Sequence, residues 1–142
     1  MPAEFERAQM NIEEIANQFI AAVNRSDVDE ICTLMSEDHT FIDSGGDVCQ
    51  GVEKMRRAWG EYFKMFPDYK IEAPEFVVSD DTIILLGRAS GTYTDDGTLR
   101  PENHWEIPAA WKAVIADDKI KLWQVFADNA PIEKIMREDA ED

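Results

Sequence analysis

Residues 27–43 read Asp27-Val-Asp-Glu-Ile-Cys-Thr-Leu-Met-Ser-Glu-Asp-His-Thr-Phe-Ile-Asp43. Val28, Ile31, Leu34 and Met35 recur at helical spacing and predict a short helix over Val28–Met35. Its start at Ser26 or Asp27 puts acids in the first turn, where the helix dipole favours them. The run breaks at Ser36-Glu37-Asp38, and His39–Ile42 reads as a short strand. Asp43 closes that strand, and Gly45-Gly46 follows it. An acid placed there is either a proton acceptor against an apolar wall or an ordinary turn starter. The residues alone leave both open.

Upstream, Ile12, Ile15, Ala16, Phe19, Ile20 and Val23 form one apolar stripe, a first helix that Asn11 and Glu14 would open as a capping box. Downstream, Val52, Met55, Trp59, Tyr62, Phe63 and Phe66 share one face of a third helix. Pro67 ends it, because proline disfavours a helical residue before it. Four strands follow: Tyr69–Val78 with a break at Pro74, Thr82–Thr94, His104–Ile115 and Ile120–Ala127. Asp80-Asp81, Asp95-Asp96-Gly97 and Asp117-Asp118 are the turns between them. A last short helix runs over Pro131–Met136, and 137–142 reads as a loose acidic tail. Helices first and long strands second predict an α+β fold with an antiparallel sheet. Gly and Pro within the strands predict curvature, so that helices across the hollow side enclose a pocket.

The chain has 142 residues, the size of one domain, and 44% are hydrophobic, with four Trp and seven Phe. That is enough apolar mass for a core and for an aromatic-lined pocket. A formal charge of −16 repels nucleic acid and anionic lipid, so neither is expected as a partner. Cys32 and Cys49 make no disulfide framework. The start, Met-Pro-Ala-Glu-Phe-Glu-Arg, lacks the pattern of a signal peptide, and no stretch is apolar enough to span a bilayer. The expectation is a reduced, cytoplasmic protein. Neither the two histidines nor the two cysteines have metal-ligand spacing, and the glycines match no phosphate loop, so no cofactor or metal is expected.

Several strings resemble the nuclear transport factor 2-like superfamily, in its SnoaL-like polyketide cyclase and ketosteroid-isomerase-like branch. They are Asn24-Arg-Ser-Asp27, Met35–Asp43, the helix after Gly51 with Trp59, Pro108-Ala-Ala-Trp111, and Trp123-Gln-Val-Phe-Ala-Asp128. The resemblance covers roughly Asn11 to Met136 as a single domain. It implies a cone-shaped sheet closed by helices over a hydrophobic cavity, and a homodimer through the outer sheet face. It also places Asp43, without a gap, where steroid isomerases keep a proton-shuttling aspartate. Their helix-one tyrosine falls on Phe19 and their second donor on or beside Trp111, so the usual oxyanion partners are absent. The resemblance to epoxide hydrolases fails at Arg88-Ala89-Ser90 and at Val125, where that branch has acids. His104 is a second catalytic candidate, because SnoaL-like cyclases pair a histidine with an aspartate. Strict strand alternation would put it on the face away from Trp105, Ile107 and Trp111, unless Pro108 shifts the parity.

Phe19, Met35, Trp59, Tyr62, Phe63, Tyr93, Trp111 and Trp123 are the expected ligand contacts, with Phe126 a further aromatic able to reach the cavity. Three functions stay open: a cofactor-free enzyme that removes a proton beside a carbonyl group, a non-catalytic module for a small apolar ligand, and a structural dimer whose cavity its own side chains fill.

Overall fold

The structure is a computed structural model that describes residues 2–141, with side chains over 12–141. Helix α1 runs over Pro2–Asn24, so it begins well before the Asn11 expected to open it. Its inward side buries Ile12, Ile15, Ala16, Phe19, Ala22 and Val23. At its end, the Asn24 amide acts like a strand partner for Ile71: Oδ1 accepts from Ile71 N at 2.8 Å and Nδ2 donates to Ile71 O at 3.0 Å.

Helix α2, Val28–Thr33, is capped by Asp27, whose carboxylate accepts from Glu30 N at 3.1 Å. Strand β1 then takes Met35–Ile42, four residues earlier than the sequence suggests. A short strand β2, Val48–Gln50, was not foreseen, and it pairs antiparallel with β1. Helix α3 spans Val52–Met65. Strands β3 (Lys70–Ser79), β4 (Thr82–Thr92), β5 (His104–Ala116) and β6 (Lys119–Ala127) form the meander that the turns predict. At Asp117-Asp118 both residues have positive φ, 52° and 61°, the backbone that a tight two-residue hairpin requires. Helix α4 runs over Ala130–Glu141. The stretch from Arg137 is therefore helical rather than a loose tail, and Asp139 accepts from Asn103 Nδ2 at 3.0 Å.

The six strands make one curved, unclosed sheet in the order β2-β1-β6-β5-β4-β3. It is mixed rather than wholly antiparallel, because β1 lies parallel to β6. Two features bend it. Ala73 and Pro74 on β3 stand against the single Gly87 on β4, a bulge that curls the edge strand inward. In β1 the register jumps between Met35 and Thr40, and His39 fills the gap. Its Nδ1–H donates to the Ile120 carbonyl at 2.7 Å, in place of a ladder bond.

β5 alternates strictly between buried and more exposed positions through Pro108, with no change of parity. Its inward residues, Trp105, Ile107, Ala109, Trp111, Ala113 and Ile115, form the floor of the hollow that α1 and α3 cover. The core is aromatic at its centre, with Phe19 packed on Trp123 at a ring separation of 4.6 Å. Each such fully buried ring stabilises the fold by about 1.5–3 kcal/mol.

Candidate active site

The hollow is not completely filled. A cavity of about 160 Å³ remains between α3, the start of α4 and the inner faces of β1, β4, β5 and β6. It is close in size to an engineered cavity that takes up benzene, so a monocyclic ligand fits within it while a steroid is too large to be enclosed. Small side chains create the space. Gly87, Ala109 and Ala127 lie side by side across β4, β5 and β6, and the two alanines line the wall. The Pro108-Ala-Ala-Trp111 string carries one of them.

Six aromatic side chains surround the cavity: Phe41, Trp59, Tyr62, Tyr69, Trp105 and Trp123. Exposed Ala58 and Asn129 mark its mouth, whereas Tyr69, Trp105 and Trp123 are buried at its floor. Asn129 Nδ2 donates to Ser44 Oγ at 2.6 Å across the rim, which joins the β1 end to the start of α4. Among the described residues no Lys, Arg or His lines the cavity, and Asp43 is the one carboxylate there.

Asp43 lies both on the cavity wall and in the turn after β1. It starts the turn: Oδ1 accepts from Gly45 N at 2.9 Å and from Asp47 N at 3.0 Å. Both bonds use the same oxygen, and among the described residues Oδ2 accepts none. Gly46, with φ of 91°, supplies the left-handed backbone that folds the turn around the carboxylate. The turn amides thus hold the group in place on the cavity wall and leave one oxygen available.

Trp59, Tyr62 and Trp123 are the expected aromatic contacts that do line the cavity. Phe19, Met35, Phe63, Tyr93 and Trp111 lie outside its wall. Phe19 sits behind Trp123, and Phe63 stacks on Trp59 with centroids 5.4 Å apart. Met35 is buried where β1 begins, paired with Ile120. Tyr93 lies against Phe66, with its backbone bonded to Asn103. Phe126 is half exposed on the outer face, the consequence of strand parity, since its neighbours Val125 and Ala127 face the cavity.

His104 is on the outer side as well, not in the cavity. There it ends a relay. The buried Thr92 hydroxyl donates to Asp68 Oδ2 at 2.7 Å, so its oxygen accepts from His104 Nδ1 at 2.9 Å. The relay ties β4 and β5 to the α3–β3 corner. Arg88 pairs with Glu106 on that same outer face, and Val125 lines the cavity as an apolar residue, so no water-activating acid pair with arginine is assembled inside. Among the described residues no group of three His, Cys, Asp or Glu is placed to hold a metal ion.

Tyr69, Trp105 and Phe41 are cavity residues that the sequence reading did not single out. The signal for Tyr69 and Trp105 was alternation, since Tyr69 has the parity of buried Ile71, and Trp105 that of Ile107. Burial raises the pKa of both cavity tyrosines, Tyr62 and, more strongly, Tyr69, where the nearby Tyr62 adds to the effect. The two phenols are therefore neutral hydrogen-bond donors across the physiological range. Trp59 and Trp105 carry buried indole N–H groups without a hydrogen-bond partner among the described residues.

No curated protein matches this sequence. Solved structures do match its fold. A protein from Catenulispora acidiphila with a ketosteroid isomerase-like fold, in complex with trimethylamine, superposes with a TM-score of 0.73 at 17% identity, covering 84% of this chain and 88% of that one. A protein from Shewanella denitrificans described as a SnoaL-like polyketide cyclase gives 0.76 at 10% identity, over 89% and 97%. An LEH-like epoxide hydrolase of M. tuberculosis gives 0.74 at 10% identity, over 93% of each chain. Identities this low speak for the fold alone. The sequence model of the SnoaL-like domain matches residues 16–123, from the middle of α1 to Trp123 on the cavity floor, and the chain belongs to that family.

Proposed function

We propose that the cavity takes a small, mostly apolar carbonyl compound of monocyclic size, and that Asp43 accepts a proton from the carbon beside the carbonyl. The observation that carries this reading is a carboxylate held by two turn amides on a mostly apolar wall, with Oδ2 free of hydrogen bonds among the described residues. A base fixed before the substrate arrives has no reorientation to undergo in the transition state. Double-bond isomerisation and aldol cyclisation both begin with that proton transfer. The test is hydrogen–deuterium exchange on a panel of small ketones, with wild type compared to Asp43→Asn. Asparagine keeps an acceptor for the two amides and removes the base. A loss of about 100-fold in exchange supports the reading; equal rates sink it.

A second reading has its own support. Among the described residues, six aromatic faces, one carboxylate and no basic group also suit a small organic cation held without chemistry. The trimethylamine complex of the Catenulispora protein belongs to the same fold. Calorimetric titration with trimethylammonium separates the two, since tight binding combined with no ketone exchange favours the second.

We also propose a homodimer through the outer sheet face. Val77, Leu86 and Phe126 are exposed there at 61%, 40% and 50%, and Leu86 and Phe126 flank Ala110 in one cross-strand row. Phe126→Glu should convert a dimer to a monomer in light scattering; an unchanged mass for a dimeric wild type rejects this face. The reading of a cytoplasmic protein is supported by free cysteines at 32 and 49. No helix of the described residues is long and apolar enough to cross a membrane.

A further inference from the structure

A base at the cavity mouth needs a donor for the oxygen on which negative charge develops. Phe19 has no hydroxyl, and Trp111 does not reach the wall. The floor supplies another group. Tyr69 stands at the entry to β3, only 6% exposed, yet lines the cavity. Its ring meets Tyr62 edge-on, with centroids 5.0 Å apart at 90°, and lies 6.1 Å from Trp105. Neither tyrosine hydroxyl has a protein acceptor among the described residues. Neither oxygen is among the buried polar atoms left without a partner, which fits hydroxyls that border the cavity space. The buried indole N–H of Trp111 makes no hydrogen bond among the described residues.

We propose that the Tyr69 hydroxyl, with Tyr62 beside it, is the donor that receives the ligand's carbonyl oxygen at the cavity floor. This rests on the carbonyl reading of the site. The ligand then enters oxygen first and presents its acidic C–H to Asp43 at the mouth. In the step, Asp43 Oδ2 takes the proton. The C–H electron pair becomes the new C=C bond, and the carbonyl π pair moves onto the oxygen that Tyr69 holds. With a β,γ-unsaturated ketone, the oxygen's electron pair then re-forms the C=O bond, the new C=C pair shifts to Cα–Cβ, and the former Cβ=Cγ pair takes the same proton back from Asp43 at Cγ, an isomerisation with no oxidant or reductant. Burial keeps both phenols protonated, so they remain donors across the physiological range.

Acetophenone is a suitable probe: it has monocyclic size, a carbonyl and exchangeable methyl hydrogens. The infrared carbonyl frequency of the bound ketone reads the donor without involving Asp43, and methyl deuteration reads the base. Wild type should lower the frequency relative to an apolar solvent. Tyr69→Phe should abolish that shift and slow exchange about 100-fold, as expected for loss of one oxyanion donor, while binding of ethylbenzene stays unchanged. Tyr62→Phe should give a partial effect, and it keeps the test usable if the Tyr69 variant folds poorly. A shift that Tyr69→Phe leaves in place, or no shift in wild type, overturns the assignment of Tyr69. A shift that depends on Tyr69 together with exchange that ignores Asp43→Asn leaves this assignment standing and removes the Asp43 mechanism. Failure of acetophenone to bind the wild type overturns both.

Discussion

Gly87→Ala should be among the most damaging single-methyl changes in this chain. A Cβ built on Gly87 would stand 1.8 Å from the Glu72 carbonyl oxygen, 2.7 Å from its carbon and 2.8 Å from Ala73 Cα. All three are backbone atoms of the β3 bulge, so no side-chain rotation relieves the overlap. Reaching even 3.0 Å requires β3 to retreat by about 1.2 Å from Gly87, and this pulls on the ladder bonds at Glu72–Arg88 and Glu75–Leu86. Two weakened hydrogen bonds cost about 1 kcal/mol each, and overpacking of a close-packed site costs about 1–3 kcal/mol. The lost flexibility of the unfolded chain returns about 0.4–1 kcal/mol. The net is a destabilisation of about 3 kcal/mol, a large share of the roughly 5–15 kcal/mol of an ordinary domain. Urea unfolding followed by tryptophan fluorescence measures it, as a midpoint lowered by about 1–2 M at unchanged slope. Gly60→Ala is the internal control. Nothing lies within 4 Å of its added Cβ, and it sits inside α3, so the same methyl should stabilise by up to about 1 kcal/mol. A Gly87→Ala protein within 1 kcal/mol of wild type, or the same sign of effect at both sites, would refute the close-approach argument.

Three other outcomes follow from particular contacts. Burial lowers the pKa of His39, and its Nε2 has no partner among the described residues. The unfolded chain therefore takes up a proton near pH 6.5 before the folded one does, so stability is full above that value and falls below it, by up to about 1.4 kcal/mol per pH unit, until the folded pKa is passed. Urea midpoints between pH 5 and 8 should show this slope, and His39→Leu should remove that part of it. Asn24→Asp loses the donor to Ile71 O and sets a carboxylate against a backbone carbonyl, which should cost about 2 kcal/mol in thermal or urea unfolding; a neutral change would show that the clamp carries no weight. Ala109→Leu should keep a folded protein while reducing ketone or cation binding at least tenfold, because its side chain occupies the row that makes the cavity. Undiminished binding in calorimetry would move the ligand site elsewhere.

The parts of this molecule that were legible in its residues are those set by short-range chemistry. Asp27 caps α2, Pro67 follows the end of α3, and the Asp-rich pairs at 80–81 and 117–118 turn the strands, each through interactions within a few residues. Alternation along β5 correctly sent His104 outward and Trp105 inward, because side-chain direction has period two wherever the register is unbroken. The stretch 27–43 likewise led to the SnoaL-like family and to Asp43. What the tertiary structure decided are relations across the sheet. The parallel pairing of β1 with β6, the edge strand β2, and the helical course of Arg137–Glu141 depend on partners far along the chain. So does the identity of the cavity wall. Tyr69 borders it from the entry to β3, whereas Trp111, buried on the inward face of β5, does not. An aromatic residue on an inward face is apparent from spacing; which of several such residues borders empty space depends on how bulges and small neighbours distribute volume, and that is settled only when the strands are packed together.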